Sequence, residues 1–81
     1  MLDELITENL LIQNVYLEKY LNLIKDRGNS TTKTRQKHHI VPTSYFRYKN
    51  IPVDNSPENI VMLDYPDHIL AHYYLSLCSN S

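Results

Sequence analysis

Apolar residues recur through the first third of the chain and predict one long N-terminal helix. We expect this helix to span residues 3–27, with Asp3 as its N-cap, Lys25 and Arg27 in its last turn and Gly28 as its stop. The apolar positions cover more than one face, although a single stripe would suffice to cover a small domain. The second face should therefore be buried against another chain, or against part of a larger protein.

A second pattern begins at residue 37 and predicts a compact unit of two strands and a helix. Short apolar runs indicate strands near residues 38–41 and 59–63, and the loop between them is interrupted by three prolines. A helix is expected over about residues 65–78. Asp64 can cap it, and Pro66 is tolerated in its first turn because the amide that proline lacks would be unpaired there.

These patterns predict an α+β fold in one domain. We divide it into an N-terminal helix (1–28), a basic and polar linker (29–36) and a ββα unit (37–81). With 81 residues, the chain lies near the lower limit for an unaided core, where a metal ion or an oligomer interface commonly supplies the missing stability. A two-fold pairing of the N-terminal helices would cover their second face, so we expect a homodimer.

The four histidines fall into two pairs. His38 and His39 are adjacent in an apolar stretch, and His68 and His72 lie one turn apart in the predicted C-terminal helix. Imidazole is the commonest protein metal ligand and titrates nearest neutrality, so two pairs suggest one metal and one base. Successive side chains of a strand point to opposite faces, which would suit two different roles for the first pair. An isolated His-x3-His is usually two surface residues; the joint occurrence favours a site.

The segments that carry these residues are His-His-Ile-Val-Pro at 38–42, Asn-Ser-Pro-Glu-Asn-Ile-Val-Met-Leu at 55–63 and Asp-His-Ile-Leu-Ala-His-Tyr at 67–73. Together with the approach run at 20–27, they resemble the HNH endonuclease family, the ββα-metal or His-Me finger nucleases, particularly those of phages and mobile elements. The resemblance covers most of the chain, and its motifs are specific.

The resemblance implies a role for each motif residue. His38, His68 and His72 would bind one divalent metal ion, His39 would be the general base, and Asn59 would brace the loop that carries the base. The ion could be Zn, Ni, Mn, Co or Mg, and an all-imidazole shell favours the transition metals over Mg.

The chain departs from the family pattern at three places. Residues 45–50 (Tyr-Phe-Arg-Tyr-Lys-Asn) stand where the family often has a Gly-Gly turn after the proline. Gln36 stands where the family often has glutamate, two residues before the histidine pair. The Cys-x2-Cys pairs that some members use for a second zinc are missing. These differences concern the shape of the loop and its substrate contacts, not the metal site.

Positive charge is concentrated around the first histidine pair. The net charge is −1, yet residues 25–49 hold seven of the eight basic residues and one acidic residue, a local charge of +6. Lysine and arginine contacts to phosphate dominate nucleic-acid affinity, so this segment indicates a nucleic-acid partner, which the resemblance implies is DNA. The alternative is a solvated basic loop that balances acidic helices. The candidate DNA-binding residues are Lys33, Arg35, Lys37, Arg47 and Lys49.

The cysteine content and the hydropathy of the chain bear on where in the cell the protein is expected. A single cysteine, Cys78, excludes an internal disulfide and is expected to be a buried apolar residue. No stretch is long and apolar enough for a membrane span, and the acidic start at Asp3 and Glu4 is unlike a secretory signal. We therefore expect a cytoplasmic protein without a membrane partner, in a bacterium or a phage-infected cell.

The sequence thus predicts a metal-dependent HNH endonuclease that hydrolyses DNA phosphodiester bonds. An alternative from another class is a non-catalytic, metal-stabilised HNH-like module, such as a phage-encoded inhibitor or a DNA- or protein-binding fragment. A helical dimerisation module with incidental histidines would explain only residues 3–27.

Overall fold

The α+β class is confirmed by a computed structural model, which describes residues 2–80. Within these residues the chain forms four α-helices and one two-stranded antiparallel sheet. The elements in chain order are α1 (Asp3–Thr7), α2 (Val15–Arg27), β1 (Arg35–His39), α3 (Thr43–Lys49), a 3-10 turn (Pro57–Asn59), β2 (Ile60–Asp64) and α4 (Tyr65–Cys78).

The single N-terminal helix predicted over residues 3–27 is wrong, because the chain leaves the helical path between α1 and α2. Asn9 adopts a left-handed conformation with φ of 63°. Asn14 then caps α2, where its Oδ1 accepts hydrogen bonds from the backbone amides of Tyr16 and Leu17 at 2.9 and 3.1 Å. Asparagine tolerates the left-handed region and is a favoured N-cap, so two asparagines suffice to end one helix and start another.

The break between α1 and α2 lets the two ends of the described chain meet. Leu11 forms an isolated antiparallel bridge with Ser79. On either side of it, the Ile12 amide donates to the Cys78 carbonyl at 2.7 Å, and the Asn80 amide donates to the Leu10 carbonyl at 3.0 Å. The N-terminal segment therefore folds back onto the end of α4 and becomes part of the same core.

Gly28 ends α2 as predicted, for a reason of packing. A Cβ atom at this position would lie 2.4 Å from the Ile24 carbonyl oxygen and 2.6 Å from Cγ2 of Val61. Only glycine allows the end of α2 to approach β2 so closely. The prediction of Asp3 as the first N-cap is wrong, since Leu2 occupies that position and Asp3 lies in the first turn of α1.

Asp64 stands before α4 as predicted, but its side chain makes no capping hydrogen bond. Its carboxylate instead accepts hydrogen bonds from the hydroxyls of Thr32, at 2.7 Å, and Thr34. These bonds lower the pKa of Asp64, the Thr34 bond most strongly. The two threonine bonds hold the predicted linker against the sheet. The last two residues of that linker, Arg35 and Gln36, already belong to β1.

The sheet and α4 form the ββα unit. The register of the two strands places His38 opposite Val61 and His39 opposite Ile60. β1 begins three residues before its predicted start at 38, whereas α4 has the predicted bounds. The sequence predicts a loop between the two strands, yet this segment contains α3, whose C-cap Asn50 has a left-handed conformation with φ of 55°.

The core lies between α2, α4 and the sheet. Tyr20, Leu63, Ala71 and Cys78 are fully buried within it, and the predicted burial of Cys78 is confirmed. None of the helices in residues 2–80 combines the length and the apolar character needed to cross a membrane.

The homodimer remains a prediction. The fold shows which residues of the N-terminal segment are available for an interface and should be mutated to test it. Leu5, Leu17 and Tyr20 are buried in the core of the chain itself. The large apolar side chains that this segment leaves exposed are Ile12, Val15 and Leu21, so a two-fold interface through the segment would have to use these.

We expect light scattering at micromolar concentrations to give the mass of a dimer, and Leu21→Glu to shift it toward the monomer. A carboxylate placed in an apolar interface loses its hydration without a partner. Asn22→Glu is the matched control, because it adds the same charge at the neighbouring exposed position of α2. A wild-type protein that remains monomeric would contradict this prediction.

Candidate metal centre

Three of the four histidine rings meet where α4 crosses the sheet. His38 lies near the end of β1, and His68 and His72 lie one turn apart on α4, which follows β2 directly. The ring of His38 is 5.1 Å from that of His68 and 5.2 Å from that of His72, measured between ring centres. One nitrogen from each ring lies within 4.8 Å of the other two. The structure thus brings together the three predicted ligands.

Tyr20 of α2 determines which ring nitrogen of His38 carries the proton. Its hydroxyl lies 2.7 Å from Nε2 of His38 and donates its one proton to the Ile40 carbonyl, also at 2.7 Å. The Tyr20 oxygen must therefore accept the other bond, so His38 carries its proton on Nε2 and a lone pair on Nδ1. The ring is 1% exposed, and among residues 2–80 its Nδ1 is the one buried side-chain nitrogen or oxygen without a hydrogen-bond partner.

The unpartnered Nδ1 is the strongest sign that the site fits a metal ion. A buried acceptor left without a partner costs about 1–3 kcal/mol, and native structures contain few of them. A cation bound to this lone pair would remove the penalty. The buried position of His38 thus favours a ligand close to the other two rings.

Gln36 determines which ring nitrogen of His68 carries the proton. Its Oε1 lies 2.6 Å from Nδ1 of His68. An amide oxygen can only accept, so Nδ1 carries the proton and Nε2 holds the lone pair. That Nε2 lies 3.2 Å from Nε2 of His72. Two nitrogens bound to tetrahedral zinc at about 2.0–2.1 Å would lie roughly 3.3 Å apart, so the pair already has the spacing of a chelate.

The surroundings keep the rings of His38 and His68 neutral, which is the form that binds a metal. Burial, reinforced by the charges of His72, His68 and His39, lowers the pKa of His38 to about 3. Burial also lowers the pKa of His68, with His72 as the second cause. At neutral pH both rings can therefore offer a lone pair.

An open cavity of about 360 Å³ lies in front of the three rings. His72 is exposed to it. Three protein ligands beside open space are typical of a catalytic metal site, whereas a structural zinc is usually enclosed by four. The cavity is lined by Lys37, His38, His39, Pro42, Thr43, Ser44, His68 and His72.

His39 lines the same cavity but stands apart from the three rings. It is the last residue of β1 and is half-buried. Its Nε2 lies 2.7 Å from Oδ1 of Asn55, in the loop before the 3-10 turn. The two adjacent histidines therefore have different neighbours, as the alternation of a strand predicts.

Asn59 is fully buried and ties the two ends of the long loop together. Its Oδ1 accepts the Val41 amide at 2.8 Å, and its Nδ2 donates to the carbonyls of Val41 at 3.3 Å and Asp54 at 2.9 Å. Its own carbonyl accepts the Ile40 amide at 2.9 Å. These contacts hold the chain directly after His39, which is the geometry needed to brace the loop.

The five candidate DNA-binding residues do not form one cluster around the cavity. Lys37 lines the cavity, and Arg47 is exposed one turn after the cavity residue Thr43 on α3. Lys33 and Arg35 are exposed near the start of β1, and Arg35 also donates to the Thr32 carbonyl at 2.8 Å.

Lys49 points elsewhere, because it forms an ion pair with Glu8 at 2.5 Å. That bond lowers the pKa of Glu8 and raises that of Lys49.

Three residues of the site escaped the sequence prediction. In the sequence, Tyr20 is an apolar position of the first helix and the start of the approach run, and Gln36 is a departure from the family pattern. Asn55 was not singled out. Each acts by a hydrogen bond to a histidine at least 16 positions away in the sequence, which no local spacing reveals.

Comparisons with protein-family models, with curated proteins and with solved structures each gave no match to this chain. The resemblance to HNH nucleases therefore remains a prediction, and it rests on the motif residues of the sequence.

We predict that the protein binds one Zn²⁺ and that the ion raises its melting temperature. At a hundredfold excess over the dissociation constant, binding contributes about 2.7 kcal/mol, or roughly 10 °C or more for a domain of this size. His38→Ala, His68→Ala and His72→Ala should each abolish the rise, measured by calorimetry with and without EDTA. His39→Ala is the matched control and should keep the ion. Unchanged zinc content in the three ligand variants would refute the site.

Proposed function

We propose that the protein is a metal-dependent endonuclease of the HNH type that hydrolyses DNA phosphodiester bonds. The observation that carries the proposal is that one open cavity is lined by all four histidines. Three of them, His38, His68 and His72, lie close together, and Nδ1 of His38 has no hydrogen-bond partner. The fourth, His39, is instead bonded to Asn55. One metal and one base are the components that such hydrolysis requires.

His38, His68 and His72 would hold the ion, through Nδ1 of the first and Nε2 of the other two. Imidazole ligands favour Zn, Ni, Co or Mn over Mg, which prefers oxygen. When bound, the ion would supply Lewis-acid stabilisation of the negative charge that builds up on the scissile phosphate. Tyr20 and Gln36 keep two of the ligand rings in the required tautomer and orientation.

His39 would accept the proton of the attacking water. A neutral imidazole in this role typically contributes about 10²–10⁴-fold to the rate. Asn59 does not reach the reacting atoms; it fixes the backbone at Val41 and thereby the position of His39. It is therefore a positioning residue.

The DNA backbone would approach across the basic side of the cavity. Lys37 lies at the cavity itself, and Arg47 on α3 and Lys33 and Arg35 near the start of β1 are further exposed cations. These side chains can contact phosphates without reading bases, so the structure supports binding that depends on the backbone more than on sequence.

A non-catalytic module stabilised by a metal is the second candidate, and one observation favours it. Through Tyr20, an ion on His38 would link α2 as well as β1 and α4, so it would stabilise the whole small core. Such a module needs no base. The position of His39 in the open cavity favours the enzyme, and cleavage assays with variants of His39 separate the two candidates.

We predict that the protein nicks plasmid DNA in parallel reactions with Mg, Mn, Ni or Zn, with at least one ion active and with EDTA abolishing the reaction. His39→Ala should lower the rate by about 10²-fold or more while metal content remains unchanged. Asn59→Ala should cost less activity, because the base is still present, although the loss of its buried hydrogen bonds should lower the melting temperature. Cleavage by His39→Ala at the wild-type rate would exclude this base.

A second prediction of the proposal concerns DNA affinity, measured on the His39→Ala protein so that the DNA stays intact. Lys37→Ala should weaken binding and reduce the slope of log affinity against log salt by about 1, as expected for one lost phosphate contact. Lys49→Ala should have a smaller effect because Lys49 is paired with Glu8. Lys19→Ala on the exposed face of α2 is the control. Equal losses in all three variants would argue against a defined path for the DNA.

A further inference from the structure

We infer that Asn55 is the positioning residue of the base: it holds His39 in the tautomer that carries its proton on Nε2 and leaves Nδ1 free to accept a proton. The role as a base rests on the proposed function, whereas the tautomer is a property of the protein that can be measured without any activity.

The hydrogen bond between the two side chains determines the tautomer. Oδ1 of Asn55 lies 2.7 Å from Nε2 of His39, a normal length for such a bond. An amide oxygen accepts and cannot donate, so the proton of this bond belongs to the imidazole. A neutral ring carries only one N–H, and its lone pair is therefore on Nδ1. Without this partner the ring could carry its proton on either nitrogen.

The backbone on both sides of Asn55 is fixed. The Asp54 carbonyl accepts a hydrogen bond from Nδ2 of Asn59 at 2.9 Å, and the Asp54 carboxylate accepts the Ser56 amide at 2.9 Å. The Ser56 carbonyl in turn accepts the Asn59 amide at 2.9 Å. Asn55 thus extends from a rigid turn, and its amide reaches His39 from a defined direction.

The two asparagines divide the task. Asn59 is buried and holds both Val41, two residues after His39, and Asp54, the residue before Asn55. It therefore sets the distance between the base and its partner. Asn55 is exposed, and its side chain is bonded to His39. Removal of Asn55 should consequently release the ring at little cost to the fold, unlike removal of Asn59.

Nuclear magnetic resonance tests the tautomer directly. Long-range proton–nitrogen spectra of the full chain with stoichiometric Zn²⁺ distinguish a protonated from an unprotonated ring nitrogen, and His39→Ala assigns the signals. We expect the Nε2–H tautomer in the wild type, a mixture of both tautomers in Asn55→Ala, and the Nε2–H tautomer again in Asn55→Asp. The carboxylate of the last variant restores an acceptor at the same place.

Kinetics of DNA cleavage test the consequence for catalysis. Asn55→Ala should lower kcat by about 10- to 100-fold, the usual cost of losing an orienting hydrogen bond beside a metal site, and leave KM unchanged. Asn55→Asp should recover part of this loss. Asn22→Ala, the same change at an exposed position of α2, is the matched control and should change neither the spectra nor the rates. Melting temperatures of the Asn55 and Asn22 variants should remain close to wild type.

Two results would overturn the inference: an Nδ1–H tautomer of His39 in the wild type, or a single Nε2–H tautomer that persists in Asn55→Ala. A kcat of Asn55→Ala equal to that of an active wild type would overturn it as well. If the wild type cleaves no DNA with any of the ions, the proposed nuclease function fails, and the spectra still decide the role of Asn55.

Discussion

The hydrogen bond between Tyr20 and His38 is the interaction on which the rest of the structure depends. Both side chains are almost completely inaccessible to solvent, and the tyrosine hydroxyl also holds the Ile40 carbonyl at the end of β1. The bond thus attaches α2 to the strand that carries the first histidine pair. It also leaves a lone pair on Nδ1 of His38, whose ring packs edge-on against those of His68 and His72, so the packing of the core and the chemistry of the site share one constraint.

Each of the described histidine rings except His72 has a polar side chain that decides which nitrogen carries the proton. Tyr20 does so for His38, Gln36 for His68 and Asn55 for His39. The lone pairs of His38 and His68 are therefore fixed by the protein itself, before any ion binds. The departure from the family pattern at Gln36 is therefore compatible with the site, since a neutral amide oxygen accepts a hydrogen bond from Nδ1–H of His68 as a carboxylate would.

The N-terminal segment has a different role from the one its apolar pattern predicted. Its many apolar positions indicated a second face for a partner chain. After the chain turns at Asn9 and restarts at Asn14, most of them instead pack against the core of the same chain. Four are buried, Leu5, Leu11, Leu17 and Tyr20, and five more are half-buried against that core, Ile6, Leu10, Tyr16, Leu23 and Ile24. A periodic pattern reports how much apolar surface must be covered, but not whether a turn lets the same chain cover it.

The sequence by itself determined the α+β class, the bounds of α4, the stop at Gly28 and the pairing of one adjacent histidine with His68 and His72, because these depend on helical periodicity, on glycine and on spacing within one or two elements. The choice of His38 from its pair came from the family resemblance. Only the tertiary structure decided the break in the first helix, the presence of α3 and the partners of the rings. The partners Tyr20, Gln36 and Asn55 lie 16 to 32 positions from the histidines that they orient. Contacts of that range follow from how α2, the sheet and the loop pack together, and local sequence does not encode that packing in any readable pattern.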